Sequence, residues 1–288
     1  MVPQSFRLSV YSYHTAEVEK EVEKMLPADD AALALTASAI EDNLCAYAAF
    51  FGATPVAELN NHSSLLSVIS RIPTLPFTGI LRPYPPAAAL ANTITTTMAY
   101  FQQQHARPSW IFNPARSSPD LIAHLSQYQL NETANLPGMA LNLSVLQPGA
   151  PHRMHVTTVA DPEMLARWVS IYAESNAAPD WIGAELITLF NATDYRSAQP
   201  LTLYLGWQAD QPIATAATFG AAGVVGLYEV ATLPAFRHQH IASTITYHAL
   251  TDARQNGYAI ATLVSSSMAE RLYRKVGFAE YCRLVIYN

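Results

Sequence analysis

Apolar residues in this chain follow two patterns, steps of three and four residues and unbroken β-branched runs, and the two alternate along it. Leu33, Ala37, Ile40, Leu44 and Ala48 share one stripe, which predicts a long helix from Ala31 to about Phe51, capped by Asp29 and Asp30. Before it, Glu17 to Met25 alternates acids and lysines and reads as a solvated surface turn. Strands are predicted at Pro55 to Leu59, Ser64 to Ile72 and Phe77 to Leu81, then a helix at Ala87 to His105. A strand at Ser109 to Phe112, a helix at Pro119 to Tyr128 and a strand at Met139 to Leu146 follow. The Pro- and Gly-rich stretch 147–151 has no periodicity and marks a domain boundary, dividing the chain into 1–150 and 151–288.

The second half runs in a similar order. Helices are expected at Pro162 to Ser175 and at Asp180 to Phe190, with Asp180 as the cap of the second. Leu201 to Gln208 and Pro212 to Phe219 form a hairpin around residues 209–211. Val224 to Thr232 is a buried strand, stopped by Pro234, which cannot donate to a ladder. From Ile241 the spacing turns helical, through Ala242, Ile245, Ala249 and Ala253, and Gly257 stands where the helix ends. A strand at Ala259 to Val264, a helix at Ser267 to Val276 closed by Gly277, and a strand at Phe278 to Tyr287 complete the chain. The order helix, three strands, helix, strand, helix, strand thus occurs twice, which predicts an internal duplication.

A buried strand that runs through a tight basic turn into a helix N-terminus gathers unpaired N–H groups at the positive end of a dipole. Such a place suits an anion, phosphate in particular. In the second half this turn is Arg237, His238, Gln239 and His240, leading into Ile241, Ala242 and Ser243. In the first half the corresponding residues are Arg82-Pro83-Tyr84-Pro85-Pro86-Ala87, whose prolines have no N–H to offer. The first copy therefore reads as degenerate.

TLPAFRHQHIAS, residues 232–243, resembles the acyl-CoA pyrophosphate loop of the GCN5-related N-acetyltransferases, and SSMAERLYRKVGF, residues 266–278, resembles their later helix with its Leu-Tyr…Gly-Phe ending. The resemblance covers roughly residues 154–288. It implies the acyl-CoA N-acyltransferase fold: an α/β structure with a mixed, mostly antiparallel sheet flanked by helices, here in tandem. It also implies acetyl-CoA as co-substrate and an N-acetyltransferase activity toward a primary amine. Pyrophosphate would lie on the amides of His238 through Ser243, with Arg237 adding charge. Main-chain groups of Val230 and Thr232 would face the cofactor, and Tyr273 would return a proton to the departing thiolate. Two positions depart from the family's pattern: His240 stands where a glycine is usual, and Ser266 where an asparagine is.

Glu229 lies in the middle of an apolar strand, where an unpaired carboxylate costs several kcal/mol, so it is paired, protonated or functional. It is the candidate base or amine-binding group, on the opposite strand face from Tyr228, Val230 and Thr232 by simple alternation. Tyr228, Trp181 and Tyr172 are candidates for lining the acceptor pocket.

Composition narrows the partners. With 16 Lys and Arg against 22 Asp and Glu, a net charge of −6, no basic face for nucleic acid is expected. No apolar run approaches the ~18 residues a membrane span needs, and no basic region followed by a long apolar core marks a signal peptide. Two distant cysteines, Cys45 and Cys282, make no disulfide framework and fit a cytoplasmic protein. No Cys/His cluster has metal-ligand spacing, so no metal is expected. The acceptor is a small-molecule or peptide amine, and the resemblance implies a possible homodimer. Two rivals stay open: a non-catalytic acyl-CoA-binding or interaction module, and a transferase using a different acyl donor.

Overall fold

A computed structural model describes residues 30–147, 154–197 and 199–288. Eleven strands form one sheet in the order β1-β2-β3-β4-β11-β5-β10-β9-β8-β7-β6. The first half supplies α1 (Asp30–Gly52), β1 (Glu58–His62), β2 (Leu65–Ile69), β3 (Gly79–Leu81), α2 (Leu90–Gln103), β4 (Trp110–Phe112), α3 (Asp120–Gln127) and β5 (Glu132–Asn142). The second supplies β6 (His155–Thr158), α4 (Pro162–Ser175), α5 (Asp180–Asn191), β7 (Leu201–Gln208), β8 (Gln211–Ala221), β9 (Val224–Thr232), α6 (Ile241–Gln255), β10 (Ile260–Val264), α7 (Glu270–Val276) and β11 (Ala279–Tyr287). Among the described pairings only β3–β4 and β9–β10 are parallel, and the rest are antiparallel.

The two halves are related about the centre of this sheet, and there they exchange their last strands. β5, from the first half, pairs with β10 of the second, from Asn142 opposite Ile260 to Gly138 opposite Val264. β11, from the second half, pairs with β4 of the first, from Phe112 opposite Val285 to Trp110 opposite Tyr287. β5 and β11 pair with each other along nearly their whole length. Each half is thus completed by a strand of the other.

Helices α1, α4 and α5 cover one face and α2, α3, α6 and α7 the other. Helix α1 crosses the middle: Leu44 and Ala48 pack with Leu81, Ile111 and Leu284, while Tyr47 and Phe51 pack with Trp168, Leu203 and Phe219 of the second half. Its polar interruption is buried. Asn43 is inaccessible and donates from Nδ2 to the carbonyls of Phe219 at 3.1 Å and Ala221 at 3.0 Å. Its Oδ1 accepts from the Tyr228 hydroxyl at 2.6 Å, which bolts α1 to the β8–β9 hairpin. Gly226 beside it is required by close approach, since a Cβ there would come within 2.1 Å of Asn43 Oδ1.

Several boundaries move from their predicted places. The first strand is Glu58–His62, not residues 55–59, because this exposed edge strand is polar and carries no apolar signal. β5 begins at Glu132 and ends at Asn142, and Leu143–Val145 is a 3-10 turn. Its Pro137 obscured the pattern, although the strand is paired on both sides. Asp180 is the first residue of α5 and not its cap, which is Pro179. The short edge strand β6 carried no sequence signal. Glu17 to Met25 and Asp29 lie outside the described residues.

Truncation tests the strand exchange. A fragment of residues 154–288 lacks both β5 and α1, so calorimetry is expected to show no cooperative transition, and a melt near that of the full chain would contradict it. Asn43→Ala leaves the carbonyls of Phe219 and Ala221 and the Tyr228 hydroxyl without this partner. A loss of about 3 kcal/mol is expected in urea unfolding, and a loss under about 1 kcal/mol would count against the bolt.

Candidate active site

β9 and β10 are in register only at Val225 with Ala261 and Gly226 with Thr262. Beyond these pairs they diverge, so the β10-facing edge of β9 from Leu227 to Thr232 has no ladder partner among the described residues. The main chain of Val230 and Thr232 lies on this free edge. Thr232 Oγ1 is buried there without a hydrogen-bond partner.

The divergence begins with a bulge. Thr215 of β8 faces Ala231 and Ala217 faces Tyr228, so Glu229 and Val230 both stand opposite the single residue Ala216. Glu229 takes the extra turn at φ +50°, a left-handed conformation that costs a non-glycine residue about 1 kcal/mol or more. Its carbonyl accepts from Thr215 Oγ1 at 2.8 Å. The bulge overturns the expected alternation. Tyr228 and Glu229 both turn to the face of α1 and α4, whereas Val230 packs with the cluster under α6.

Three tyrosines from three elements surround the Glu229 carboxyl. Tyr47 of α1 donates to Oε1 at 3.3 Å, and Tyr172 of α4 also hydrogen-bonds the carboxyl. Tyr228 stacks on Tyr47 with ring centroids 3.9 Å apart and planes 11° off parallel. Among the described residues no cation pairs with Glu229. Burial therefore dominates and holds its carboxyl above the usual carboxylate range, although the two tyrosine hydrogen bonds work the other way. Trp181, at the start of α5, is 52% exposed and is not among these partners.

Tyr273 projects from α7 and is buried, in edge contact with Phe278 at 5.8 Å. Among the described residues its hydroxyl has no hydrogen-bond partner. Burial first, and then the charge of Glu229, push its ionisation up, so the phenol stays protonated at neutral pH. Ser266, just after β10, is exposed, and its carbonyl accepts from the Ala269 and Glu270 amides that open α7.

The turn into α6 is built in left-handed backbone. His238 has φ +63° and His240, the cap of α6, φ +60°, and both side chains are exposed. His240 thus takes the backbone conformation that glycine adopts freely, with its imidazole outside the turn. No side chain caps the helix, so the first-turn amides of Ile241, Ala242 and Ser243 have no acceptor within it. The Gln239 amide nitrogen donates to the Ala235 carbonyl at 3.4 Å. Arg237 spans two elements: Nη2 donates to the Ser175 carbonyl at the end of α4 at 2.7 Å, and Nε to the Thr232 carbonyl at 3.4 Å. An amide-lined turn beside a free strand edge and an orphaned buried hydroxyl fits an acyl-CoA.

The first half holds a second buried carboxylate, which the sequence reading did not single out. Glu41 of α1 is inaccessible and bonds Arg116 at 2.6 Å, the Tyr84 hydroxyl and the Asn113 amide. Pro83, Pro85 and Pro86 fill the turn after β3, and that turn leads into a short 3-10 segment before α2. Tyr47 was missed as well, since its meeting with Glu229 joins positions 182 apart in sequence.

Two grooves open on the surface, and neither is lined by Glu229 or its tyrosines. One, of about 460 Å³, is lined by residues including His155, Asp161, Arg167 and Trp207, and the other follows the exposed side of α7. Among the described residues no cluster has metal-ligand character, and no helix is long and apolar enough to cross a membrane.

Residues 166–278 match the Acetyltransferase (GNAT) family model. A GCN5-related N-acetyltransferase from Kribbella flavida superposes with TM-score 0.63 at 19% identity, over 85% of this chain and 94% of that one. A tandem GNAT protein from the clavulanic acid biosynthesis pathway superposes with TM-score 0.57 at 10% identity, over 96% and 95%. A GCN5-related N-acetyltransferase from Sphaerobacter thermophilus gives TM-score 0.56 at 17% identity, over 80% and 75%. No curated protein matches the chain. The second half thus carries a match to the Acetyltransferase (GNAT) family model, and the whole chain takes the fold of a tandem GNAT protein.

Proposed function

We propose that the C-terminal half transfers the acetyl group of acetyl-CoA to a primary amine by direct attack, with the division of labour falling near 150/151. The observation that carries this reading is the contrast between the two buried glutamates. Glu41 is neutralised by Arg116 and tied by Tyr84 and Asn113, which makes it a structural ion pair. Glu229 has tyrosine donors and no cation, and it sits where β9 parts from β10.

Each step falls to a named group. The first-turn amides of α6 hold the pyrophosphate, and Arg237, tied to the Ser175 and Thr232 carbonyls, adds positive charge near the turn. Glu229 takes the proton of the incoming ammonium, which leaves a neutral nitrogen to attack the thioester carbonyl. When the carbon–sulfur bond breaks, Tyr273 protonates the thiolate, and the proton shed by the acylated nitrogen restores the phenol. A direct route is supported by the thiols as well. Burial pushes the Cys45 thiol up and the Cys282 thiol up to about 12, so neither is an available nucleophile. The exposed side chain of His240 supports the cradle, since it leaves the amides of the turn uncovered.

Calorimetric titration with acetyl-CoA tests the cradle, and Arg237→Ala is expected to weaken binding about tenfold. Unchanged affinity would remove Arg237 from the cofactor site. Glu229 works deprotonated and its carboxyl titrates above the usual range, so kcat/KM with an amine acceptor should rise with pH through that raised value and fall below it. Glu229→Gln is expected to lower kcat/KM about 100-fold and erase that acid limb. A variant that keeps both would exclude Glu229 as the base. Tyr273→Phe should lower kcat about tenfold or more with the KM for acetyl-CoA unchanged. An equal kcat would leave the phenol a packing residue.

A further inference from the structure

We propose that Tyr47, carried by the N-terminal half, is a positioning residue for Glu229, so that the acceptor side of the C-terminal site is completed by α1. This rests on the reading of Glu229 as the base, and it assigns the first half a part in the chemistry of the second.

The carboxyl reaches Tyr47 only because of the bulge. At φ +50° Glu229 turns out of the ladder toward α1 and α4, and its hydroxyl donors come one from each half, Tyr47 and Tyr172. The other groups facing it are Tyr228 from β9 and Tyr273 from α7, with Cys45 of α1 behind Tyr228. None of these is a cation. Two directed hydroxyls therefore set both the orientation of the carboxylate and the stability of its charge.

Tyr47 is held rigidly enough to do this. It is inaccessible, lies edge-on to Phe51 and Phe219 at 5.1 and 5.3 Å, and stacks on Tyr228. One turn earlier on the same helix, Asn43 takes the Tyr228 hydroxyl at 2.6 Å. Helix α1 thus grips Tyr228 at its ring and at its hydroxyl, and Tyr228 is the residue before Glu229. A packing role for Tyr47 needs only the ring. The hydroxyl aimed at the carboxyl is what the proposal uses.

The test reads Glu229 directly and needs no acceptor. In protein labelled with ¹³C-glutamate, the Glu229 side-chain resonance is assigned by its loss in Glu229→Gln, and its titration is followed by NMR. Tyr47→Phe keeps the ring stack and removes one donor to the charged form, so the midpoint should move up by about one pH unit. A fluorinated tyrosine at position 47 keeps ring and hydroxyl but donates more strongly, so the midpoint should move down. This second variant decides the matter even where the phenylalanine variant fails to fold. In assays, the acid limb of kcat/KM should follow the same shifts with the KM for acetyl-CoA unchanged. A midpoint that ignores the fluorinated residue, or a folded Tyr47→Phe that leaves it in place, overturns the proposal. Full activity in Glu229→Gln would instead overturn the reading of Glu229 as base, with the titration still deciding the contact.

Discussion

The structure turns on the hold that α1 has on β9. Asn43 and Tyr47, one turn apart, fix Tyr228 by hydroxyl and ring, and Tyr228 anchors the bulge that presents Glu229. A left-handed glutamate inside a strand is unfavourable by itself, and it persists because neighbours on both sides determine it: Thr215 through its carbonyl, and Tyr47 and Tyr172 through its carboxyl. The same departure from regular pleating lets β9 part from β10. That parting leaves strand edge and helix amides open beside one another, so backbone irregularity and candidate site are one feature.

Strand exchange makes this hold independent of any weak interface between halves. β5 lies between β10 and β11, and Met139 and Leu141 of β5 belong to the core under α6. The two halves consequently share a sheet and a core, and α1 keeps its place over β8 and β9 through covalent and packed connections. The first half is bound into the second under these conditions. Its own turn after β3 is closed by prolines and its carboxylate by Arg116, while its helix and its last strand complete the other copy.

The two histidines of the turn illustrate how a residue type can mislead. Glycine is favoured there for its left-handed backbone, and a histidine reads as an obstruction. At φ +60° the backbone of His240 makes the same turn with its ring in solvent, at a conformational cost of about 1 kcal/mol.

Local physics fixed much of this chain from sequence alone. Val224–Thr232, the helix start at Ile241 and the helix Pro162–Ser175 lie where periodicity, proline and glycine put them, because those signals act within a few residues. The duplication and the turn between Thr232 and Ile241 were legible for the same reason. Tertiary structure decided the rest. Which strand completes which half depends on pairing across more than a hundred residues, and no local pattern encodes it. The bulge at Glu229 inverted the faces read from simple alternation, because one extra residue shifts every side chain beyond it. Glu41 and Asn43 are polar residues on an otherwise apolar helix, and they are its two anchors, satisfied by partners from distant strands and loops. Tyr47 had no signal of its own. An aromatic residue on a buried helix stripe gains its role from what lies opposite, and only the folded chain brings Glu229 there.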